Sequence, residues 1–470
     1  MDSSIFSSRI QGIESVITME AGVDKLFGTD GVRGAANRPP MTAETCLALG
    51  RAAAVYFSGR HEPGARSAIV VGRDTRISGD MIQSAVAAGI CSAGVDVVDA
   101  GVLPTPGVAL LTRQLRAHGG IMISASHNPY TDNGIKLFDK EGYKLSDAQE
   151  ARVEAFFHQS PDTGDREPGR IIPMPEATRT YRRFLENTLP SGANLRGLLV
   201  VVDCANGATY RVAPEVLTGL GATVEAVCVE PDGRNINVDC GSQHTGALRE
   251  RVVKMSADLG IALDGDGDRM IAVDEQGNEV SGDRILAVCA AHLKDLGELA
   301  GDMVVSTVMS NLGLKKALEG MGVAHVETGV GDRYVLEAMR DRGAVLGGED
   351  SGHMIFLAHH STGDGILSAI QLMHAMRDSG RPLSDLSSIM VHYPQVLVNV
   401  AVAKKTDVAT VPEIVSAVKK AEDELGSAGR VLVRYSGTRP VCRVMVEGPD
   451  RELVDRLAGD IADAVRNTLA

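Results

Sequence analysis

The sequence predicts an α/β protein built around a central cleft, with three related α/β domains that have mainly parallel sheets and a small C-terminal α+β domain. Apolar strand segments alternate with helical segments up to about residue 390, which is typical of parallel sheets with helical crossovers. Three of these strands run into polar loops, SASHNPY, DGDGDR and GGEDSGH, and parallel sheets bind ligands beyond the carboxyl ends of their strands. From Val391 the order becomes β-α-β-β-α, which indicates an antiparallel sheet.

The elements can be assigned in order along the chain. In the first unit we expect strands at 68–72, 95–101 and 120–126 and helices at 77–94 and 106–119. In the second unit we expect strands at 198–203, 222–230, 258–263 and 270–274 and a helix around 213–220. The third unit contributes strands at 302–310, 323–329 and 344–348 and helices at 312–321 and 333–343. The last unit contributes strands at 396–402, 431–435 and 441–448 and helices at 410–425 and 451–469.

The length of 470 residues suggests three or four domains, because domains usually have roughly 100–200 residues. We place the domains at 23–175, 176–278, 279–390 and 391–470, after a poorly structured N-terminal extension at 1–22. A polar stretch at 160–170, rich in Pro and Gly, is the predicted linker after the first unit. The extension does not resemble a secretory signal, so we expect a cytoplasmic protein whose translation starts at Met1 or Met19.

The composition excludes several classes of partner. Hydrophobic residues make up 44% and charged residues 23% of the chain, which is too polar for a membrane protein, and no apolar run reaches the ~18 residues of a spanning helix. The net charge of −14 repels nucleic acids and acidic membranes. Seven scattered cysteines without a C-x-x-C pair argue against zinc sites and disulfide frameworks, and indicate mostly core thiols.

Three aspartates at alternate positions are the sharpest local signal. Asp264, Asp266 and Asp268 are separated by glycines that let the backbone fold around a cation, and their oxygens suit Mg²⁺ or Ca²⁺. An EF-hand begins with the same spacing and would use Glu275, but Arg269 takes the place of its invariant glycine and the flanks resemble strands. A solvated acidic turn is the other alternative, although carboxylates this close repel unless a cation joins them.

The segment SASHNP places Ser126 at a strand end, where Asn128-Pro129 turns the chain. A hydrolase nucleophile would lie in G-x-S-x-G, which is absent here. His127 is predicted to be a poor base for its neighbour, because adjacent side chains of an extended chain point apart. Taken alone, the motif fits either a nucleophile or a simple polar turn.

The last unit contains a loop suited to phosphate. It offers hydroxyls, open backbone N–H groups and guanidinium groups, supplied by Arg434, Ser436, Gly437, Thr438 and the nearby Arg443. An ordinary Ser-Gly turn between strands is equally consistent with this pattern.

Glycine-flanked loops elsewhere carry further polar side chains. GGEDSGH, which contains Glu349, Ser351 and His353, supplies acceptors and a donor for sugar hydroxyls. The turns FGTDGVRG at 27–34 and GRDTR at 72–76 carry arginines, and each is consistent with anion binding or with a tight βα corner.

Taken together and in this order, these motifs resemble the α-D-phosphohexomutase superfamily from about Lys25 to the C-terminus. The resemblance implies that Ser126, the second serine of SASHNP, is a phosphorylated nucleophile. It implies one Mg²⁺ ion held by the serine phosphate and by Asp264, Asp266 and Asp268. The other implied site residues are Lys136 and His353 for proton transfer, Arg33 and Arg269 near the transferred phosphate, Glu349 and Ser351 for sugar hydroxyls, and Arg434, Ser436, Gly437, Thr438 and Arg443 for the other phosphate.

Within the superfamily, four segments are similar to the bacterial branch that acts on glucosamine phosphates: FGTDGVRG, STVMSNLGLKKAL, ETGVGDRYV and HSTGDGILSAIQL. The implied reaction is an intramolecular phosphoryl transfer between glucosamine 6-phosphate and glucosamine 1-phosphate, which supplies amino-sugar nucleotide and cell-wall precursors. Glucosamine 1,6-bisphosphate or a similar compound would be its intermediate and activator. Asp350 replaces a glutamine usual in that branch, and Arg439 replaces a common glutamate; both departures bear on substrate preference and phosphate affinity.

Three alternatives remain open at this point. A phosphoglucomutase or phosphomannomutase would share the chemistry and differ in the sugar, whereas a serine phosphatase would release phosphate to water. A non-catalytic sugar-phosphate sensor would need neither Ser126 nor a complete aspartate triplet. The expected partner is a small-molecule sugar phosphate, and the resemblance also implies a homodimer.

Overall fold

The structure, a computed structural model, describes residues 25–28, 30–59, 66–160, 165–435 and 440–469. Within these ranges the chain forms four sheets with flanking helices, in the order that the sequence predicts. The predicted extension at 1–22, part of the predicted linker and the phosphate-loop residues Ser436, Gly437, Thr438 and Arg439 lie outside the described residues.

The first sheet has six strands in the order β1-β5-β4-β2-β3-β6. Strands β4, β2, β3 and β6 are parallel, and β5 and β1 are antiparallel additions at one edge. The elements are β1 (Val32–Ala35), α1 (Ala43–Ser58), β2 (Ala68–Arg73), α2 (Gly79–Ser92), β3 (Asp96–Val102), α3 (Thr105–Gln114), β4 (Gly119–Ile123), β5 (Asp132–Asp139), α4 (Asp147–Gln159) and β6 (Ile171–Pro173).

The second sheet has the order β11-β10-β9-β7-β8, with β9, β7 and β8 parallel and β10 and β11 antiparallel. Its elements are α5 (Ala177–Glu186), β7 (Leu199–Asp203), α6 (Val212–Gly219), β8 (Thr223–Val227), α7 (Gly246–Met255), β9 (Leu259–Leu263), β10 (Met270–Asp274) and β11 (Glu279–Val280).

The third sheet has the order β13-β12-β14-β15, in which only β15 is antiparallel. Its elements are α8 (Gly282–Asp295), β12 (Met303–Thr307), α9 (Leu312–Gly320), β13 (Ala324–Thr328), α10 (Asp332–Arg342), β14 (Leu346–Gly348), β15 (Met354–Phe356), α11 (Gly365–Ser379) and α12 (Leu383–Ser387).

The fourth sheet, β16-β18-β17, is antiparallel throughout, as the β-α-β-β-α order predicts. Its elements are β16 (Gln395–Ala401), α13 (Pro412–Leu425), β17 (Arg430–Tyr435), β18 (Val441–Glu447) and α14 (Arg451–Leu469). Helix α14 is amphipathic because its buried side chains recur with helical spacing, at Val454, Leu457, Ala458, Ile461, Ala462 and Val465.

The apolar run of β2 explains why the first sheet is covered on both faces. Ile69 and Val71 pack into a cluster with α1 and α2, whereas Val70, which points the other way, packs with α3. A strand that is buried on both faces lacks polar alternation and is typical of α/β proteins. The predicted α/β class is therefore confirmed, with the refinement that the parallel centre of each of the first three sheets carries antiparallel edge strands.

One local arrangement occurs in all three α/β units. A parallel strand ends in a polar loop and the chain returns as an antiparallel neighbour: β4 to β5, β9 to β10 and β14 to β15. The loops in between are the three that the sequence singles out, at 124–131, 264–269 and 349–353. Because the loops hold equivalent positions in three packed units, their side chains meet.

The hydrophobic core is continuous across the first three units, while the fourth has a core of its own. A single cluster contains Val108 of α3, Leu263 of β9 and Ile370 of α11. The cluster formed by β16, β18, α13 and α14 is separate. None of the helices in the described part of the chain is long and apolar enough to cross a membrane.

Candidate active site

Ser126 lies buried at the turn between β4 and β5, with 1% of its surface exposed. Its φ angle is +54°, a left-handed conformation that non-glycine residues adopt only where surrounding contacts hold it. Its Oγ lies 2.6 Å from Oδ2 of Asp264 and 3.3 Å from Nδ1 of His127. The turn therefore presents the hydroxyl to the aspartate loop of the second unit.

The predicted orientation of His127 away from Ser126 is wrong, because the left-handed φ of Ser126 departs from the extended chain assumed for that prediction. Burial, together with the charges of Arg269 and Arg33, lowers the pKa of His127 to about 4. The imidazole is neutral at neutral pH, and two arginines lie close enough to affect it.

A buried arginine holds the serine turn in shape. Arg76 donates from Nη2 to the carbonyl oxygens of Ser126 and Asn128, at 2.8 Å each, and its Nε donates to Oδ2 of Asp74 at 2.8 Å. The same Asp74 oxygen accepts from Ser124 Oγ at 2.6 Å. Of the two interpretations of the GRDTR turn, these contacts favour the structural corner, since its buried guanidinium is saturated by protein oxygens.

The three aspartates are buried, which excludes the solvated acidic turn. Asp264, Asp266 and Asp268 are at most 2% exposed, and one oxygen of each lies within 4.8 Å of the others. The EF-hand is excluded too, because the flanking β9 and β10 are paired strands and Glu275 accepts hydrogen bonds from Ser384. Gly265 is required by close packing, since a Cβ there would lie 2.5 Å from the Ser126 carbonyl oxygen.

The triplet fits a hard cation. Oδ1 of Asp266 and Oδ1 of Asp268 are buried and accept no hydrogen bond from any described residue. Buried unpartnered carboxylate oxygens are costly, and oxygen is the ligand atom that Mg²⁺ prefers. Burial and the charges of Asp268 and Asp266 raise the pKa of Asp264 well above its usual value, which shows how strongly the cluster needs a positive partner.

Lys136, on β5, supplies part of that positive charge. Its Nζ lies 2.8 Å from Asp266 Oδ2, 3.0 Å from Asp268 Oδ2 and 3.4 Å from Asp30. Burial alone would lower the pKa of Lys136, but the three carboxylates raise it well above its usual value. The side chain is therefore an ammonium group in this arrangement.

His353 links the aspartate loop to the cleft. Its Nδ1 lies 3.7 Å from Asp268 Oδ1 and its Nε2 3.4 Å from Asp332 Oδ2. Burial would lower the pKa of His353, but these two carboxylates raise it overall. Lys144 approaches the same Asp332 and also Asp30, at 2.8 Å from Oδ1 of the latter.

A cleft of about 650 Å³ opens above this buried layer. Of the predicted site residues, it is lined by Asp268, Arg269, Glu349, Ser351, His353, Arg434 and Arg443. Arg434 and Arg443 lie directly opposite each other on β17 and β18, and burial together with the charge of Arg443 lowers the pKa of Arg434. The Nε atoms of both arginines and the Oγ of Ser351 have no hydrogen-bond partner in the described ranges.

Arg33 contacts the serine turn and is not among the residues that line the cleft. It pairs with Asp30 and donates to the carbonyl oxygen of Ala125 at 3.3 Å. Arg269 is partly exposed, and its Nε lies 3.8 Å from Asp268 Oδ1. The structure thus brings the predicted serine, aspartates, lysine, histidine and arginines together in the cleft wall and in the buried layer beneath it.

Family models cover most of the chain in the expected order. The four domains of phosphoglucomutases and phosphomannomutases match at 24–163 for α/β/α domain I, 180–277 for domain II, 281–393 for domain III and 397–464 for the C-terminal domain. The chain belongs to the phosphoglucomutase/phosphomannomutase family. The resemblance drawn from the motifs is therefore confirmed.

Two bacterial relatives in this family are similar over almost their full length. Phosphoglucosamine mutase of Syntrophus aciditrophicus is 52% identical over 451 residues, which cover 95% of this chain and 99% of the relative. Phosphoglucosamine mutase of Syntrophobacter fumaroxidans is 52% identical over 446 residues, 94% of this chain and 98% of the relative.

Solved structures share the fold at lower identity. A phosphoglucomutase/phosphomannomutase family protein from Burkholderia thailandensis superposes with a TM-score of 0.78 at 22% identity, covering 94% of this chain and 97% of the other. Aspergillus fumigatus N-acetylphosphoglucosamine mutase, solved with GlcNAc-6P and magnesium, gives a TM-score of 0.61 at 19% identity, covering 94% and 95%.

Sequence reasoning missed several residues that lie in the cleft wall or beside the aspartate loop. Asp30 and Asp332 lie within FGTDGVRG and ETGVGDRYV but form no pattern of their own, and Lys144 stands in no motif at all. Thr105, which donates to Asp266 Oδ2 at 2.5 Å, begins a helix and gives no local signal. These side chains lie far apart in the chain, so that only the packing of the units brings them together.

Proposed function

We propose that the protein interconverts glucosamine 6-phosphate and glucosamine 1-phosphate through a phosphoserine at Ser126. The observation that carries this proposal is the pair of relatives named phosphoglucosamine mutase, both 52% identical over nearly the full length of each chain. The geometry supports it, since a buried serine hydroxyl adjoins the aspartate triplet beneath a cleft lined by two arginines whose Nε atoms have no hydrogen-bond partner among the described residues.

The proposed cycle transfers one phosphoryl group in each direction. The bond between Ser126 Oγ and phosphorus breaks, a bond from the free sugar hydroxyl to phosphorus forms, and the hydroxyl proton passes to a basic group. The bisphosphorylated sugar then turns over in the cleft, and its other phosphoryl group moves to Oγ while a proton returns to the sugar oxygen. Positioning and electrostatic stabilisation supply most of the rate in such transfers.

We propose Asp264, Asp266 and Asp268 as the ligands of one Mg²⁺ ion, since the three carboxylates converge and one buried oxygen each of Asp266 and Asp268 has no hydrogen-bond partner among the described residues. When bound, the ion would screen the negative charge on the transferring phosphoryl group. The fungal relative was solved with magnesium, which agrees with this choice. A chelator should abolish turnover, and Mg²⁺ should restore it.

His353 is the better placed of the two proposed proton carriers. Both side chains are buried, but His353 lines the cleft, whereas Lys136 does not and its Nζ faces three carboxylates. Because Asp332 and Asp268 raise the pKa of His353, its imidazolium can hold a proton and release it to a leaving sugar oxygen. Lys136 and Arg269 instead place fixed positive charge beside the reacting phosphate.

The sugar loop provides the physical basis for the proposed substrate. Glu349 lines the cleft and accepts from the backbone N–H of Gly331 at 3.2 Å, and Asp350, at the same wall, is exposed. The amine of glucosamine phosphate is cationic near neutral pH, so these carboxylates favour it over a neutral hydroxyl.

A side-by-side assay tests the proposal. We expect kcat/KM to be higher for glucosamine 6-phosphate than for glucose 6-phosphate and mannose 6-phosphate, with Ser126→Ala as the inactive control. A higher value for glucose or mannose phosphate would contradict the proposed substrate while leaving the mutase chemistry intact. Dimerisation, the bisphosphate activator and a cytoplasmic location stay predictions of the sequence.

A further inference from the structure

The second sheet brings together three ligand-type side chains that the proposed reaction does not use. Asp203 ends β7, Cys228 follows the neighbouring parallel strand β8, and Cys240 lies in the loop before α7. One carboxylate oxygen and the two sulfur atoms lie within 4.8 Å of one another. Neither cysteine forms a disulfide, and their wide spacing in the chain hides the cluster from sequence inspection.

Cys228 lies within hydrogen-bonding reach of both the Cys240 thiol and the Asp203 carboxylate. The same carboxylate also accepts from the backbone N–H groups of Ala205 at 2.8 Å and Gly241 at 2.7 Å, so its orientation is fixed. The cluster thus offers two sulfurs and one carboxylate oxygen within 4.8 Å of one another, and a divalent cation could bind there in exchange for the two thiol protons.

We propose that Asp203, Cys228 and Cys240 bind one borderline-soft divalent cation of the Zn²⁺ class, with release of the two thiol protons. Sulfur and carboxylate oxygen are normal zinc ligands, and two sulfurs about 2.3 Å from a tetrahedral ion lie about 3.8 Å apart. The ligand atoms therefore need to move by about 1 Å at most. Asp203 is 2% and Cys240 4% exposed, while Cys228 is partly exposed and gives the ion an entry route.

Oxidation of the pair is the competing chemistry, and the surroundings oppose it. The hydrogen bond to Cys228, burial and the charge of Asp203 all raise the pKa of the Cys240 thiol. A peroxide reacts with thiolates and therefore finds a poor target here. The same negative surroundings stabilise a cation, whose own charge deprotonates coordinating thiols.

The site is connected to the serine turn. Five non-glycine residues around it have left-handed backbones, namely Ala205, Asn206, Cys228, Asn237 and Asp239, and such strain persists only where contacts hold it. Asn237 donates from Nδ2 to the carbonyl oxygens of Ser126 at 2.9 Å and Asn128 at 3.1 Å. A cation that joins the loop at Cys240 to the ends of β7 and β8 would stabilise the segment that presents this amide.

Cobalt titration of the full-length protein in excess Mg²⁺ tests the proposal, because the hard site is then occupied. We expect one Co²⁺ per chain, with the near-ultraviolet thiolate-to-cobalt absorption band, and displacement by Zn²⁺. Cys228→Ser and Cys240→Ser should each weaken Co²⁺ binding at least about tenfold, because loss of a residue that only orients a metal ligand already weakens metal binding by about that factor. The matched control, Cys289→Ser in α8, should bind as the wild type does.

Wild-type protein that shows no thiolate band, or a band that persists when Cys228→Ser and Cys240→Ser are combined in one variant, would overturn the proposal. Circular dichroism establishes whether each variant is folded. Should a variant fail to fold, X-ray absorption of the zinc-loaded wild type decides instead: two sulfur ligands are expected, and none would overturn the site. Zinc should also raise the melting temperature of the wild type and not that of Cys240→Ser, since binding to the folded state stabilises it.

Discussion

Arg434 and Arg443 face each other across β17 and β18, although like charges on opposite residues of a sheet repel. Both lie in the cleft wall, and neither Nε atom has a hydrogen-bond partner in the part of the chain that the structure describes. A phosphate between two guanidinium groups would relieve the repulsion and satisfy both. These residues therefore belong to substrate binding in the proposed cycle.

Replacing Arg434 with alanine should act on binding. We expect KM for glucosamine 6-phosphate to rise roughly 10- to 100-fold, which corresponds to the roughly 1.5–3 kcal/mol of a charge-assisted hydrogen bond. Steady-state kinetics measure this, with Arg456→Ala as control, because Arg456 forms exposed pairs with Glu424 and Asp460. A large fall in kcat at unchanged KM would place Arg434 at the reacting centre instead.

The sequence was most informative where chemistry is concentrated in short motifs. The aspartate triplet is recognisable because its three residues are close in sequence, at every second position, and their carboxylate oxygens also lie close together in space. The orientation of His127 was predicted wrongly because it depends on the left-handed backbone of Ser126, which Arg76 and Asn237 stabilise from other parts of the chain. Lys144 could not be predicted, since its partners Asp30 and Asp332 are remote in sequence.

At the scale of elements, the three repeated hairpins explain how one cleft is assembled. Each polar loop joins a parallel strand to an antiparallel one, so each is anchored by ladder hydrogen bonds at both ends. The serine loop is held further by Arg76, which is 1% exposed and donates to Ser126, Asn128, Pro129 and Asp132. Periodicity predicts the alternation of strands and helices. It does not predict that the return strands are antiparallel, because periodicity alone does not show which strands pair or in which direction.

Arg76→Met should therefore destabilise the fold strongly. It leaves buried carbonyl groups and Asp74 without their partner, and breaking a buried ion pair costs about 3–5 kcal/mol. The control is Arg73→Met on the same turn, whose ion pair reaches the exposed Asp80 and contributes at most about 1 kcal/mol. Urea unfolding measures both, and equal midpoints for the two variants would contradict the role assigned to Arg76.

At the scale of the whole molecule, the first three units share one core and the fourth is attached through polar contacts. The fully buried Glu447 accepts from Asn311 Nδ2 at 3.0 Å and pairs with Arg430. Arg430 also reaches the carbonyl oxygen of Ser310 and Glu327 of the third unit. Because its core is separate, the fourth unit is suited to hold either phosphate of the substrate while the bisphosphorylated sugar reorients in the cleft.

His360 ties the third unit to the first and should make stability depend on pH. It donates from Nε2 to the Pro106 carbonyl oxygen at 2.9 Å, and burial lowers its pKa from 6.5 to about 4. Between these values the unfolded chain binds a proton that the folded protein does not, so stability rises with pH across this window. The full difference corresponds to about 3 kcal/mol, which is present above pH 6.5 and lost toward pH 4.

Urea unfolding of the wild type and of His360→Gln from pH 4 to pH 7.5 measures this contribution. The variant should lose part of the pH dependence, whereas the control His158→Gln, at an exposed position, should keep all of it. Identical pH dependence of stability in the wild type and in His360→Gln would contradict the contribution that we attribute to the lowered pKa of His360.

The central claim is that Ser126 carries the phosphoryl group and gives it to the sugar. The most direct measurement is a single turnover of protein labelled with radioactive phosphate, mixed with unlabelled glucosamine 6-phosphate in the presence of Mg²⁺. We predict that peptide mapping finds the label on Ser126 before mixing, and that it then appears in glucosamine 1,6-bisphosphate and its monophosphate products. Label confined to another residue, or released only as inorganic phosphate, would contradict the account.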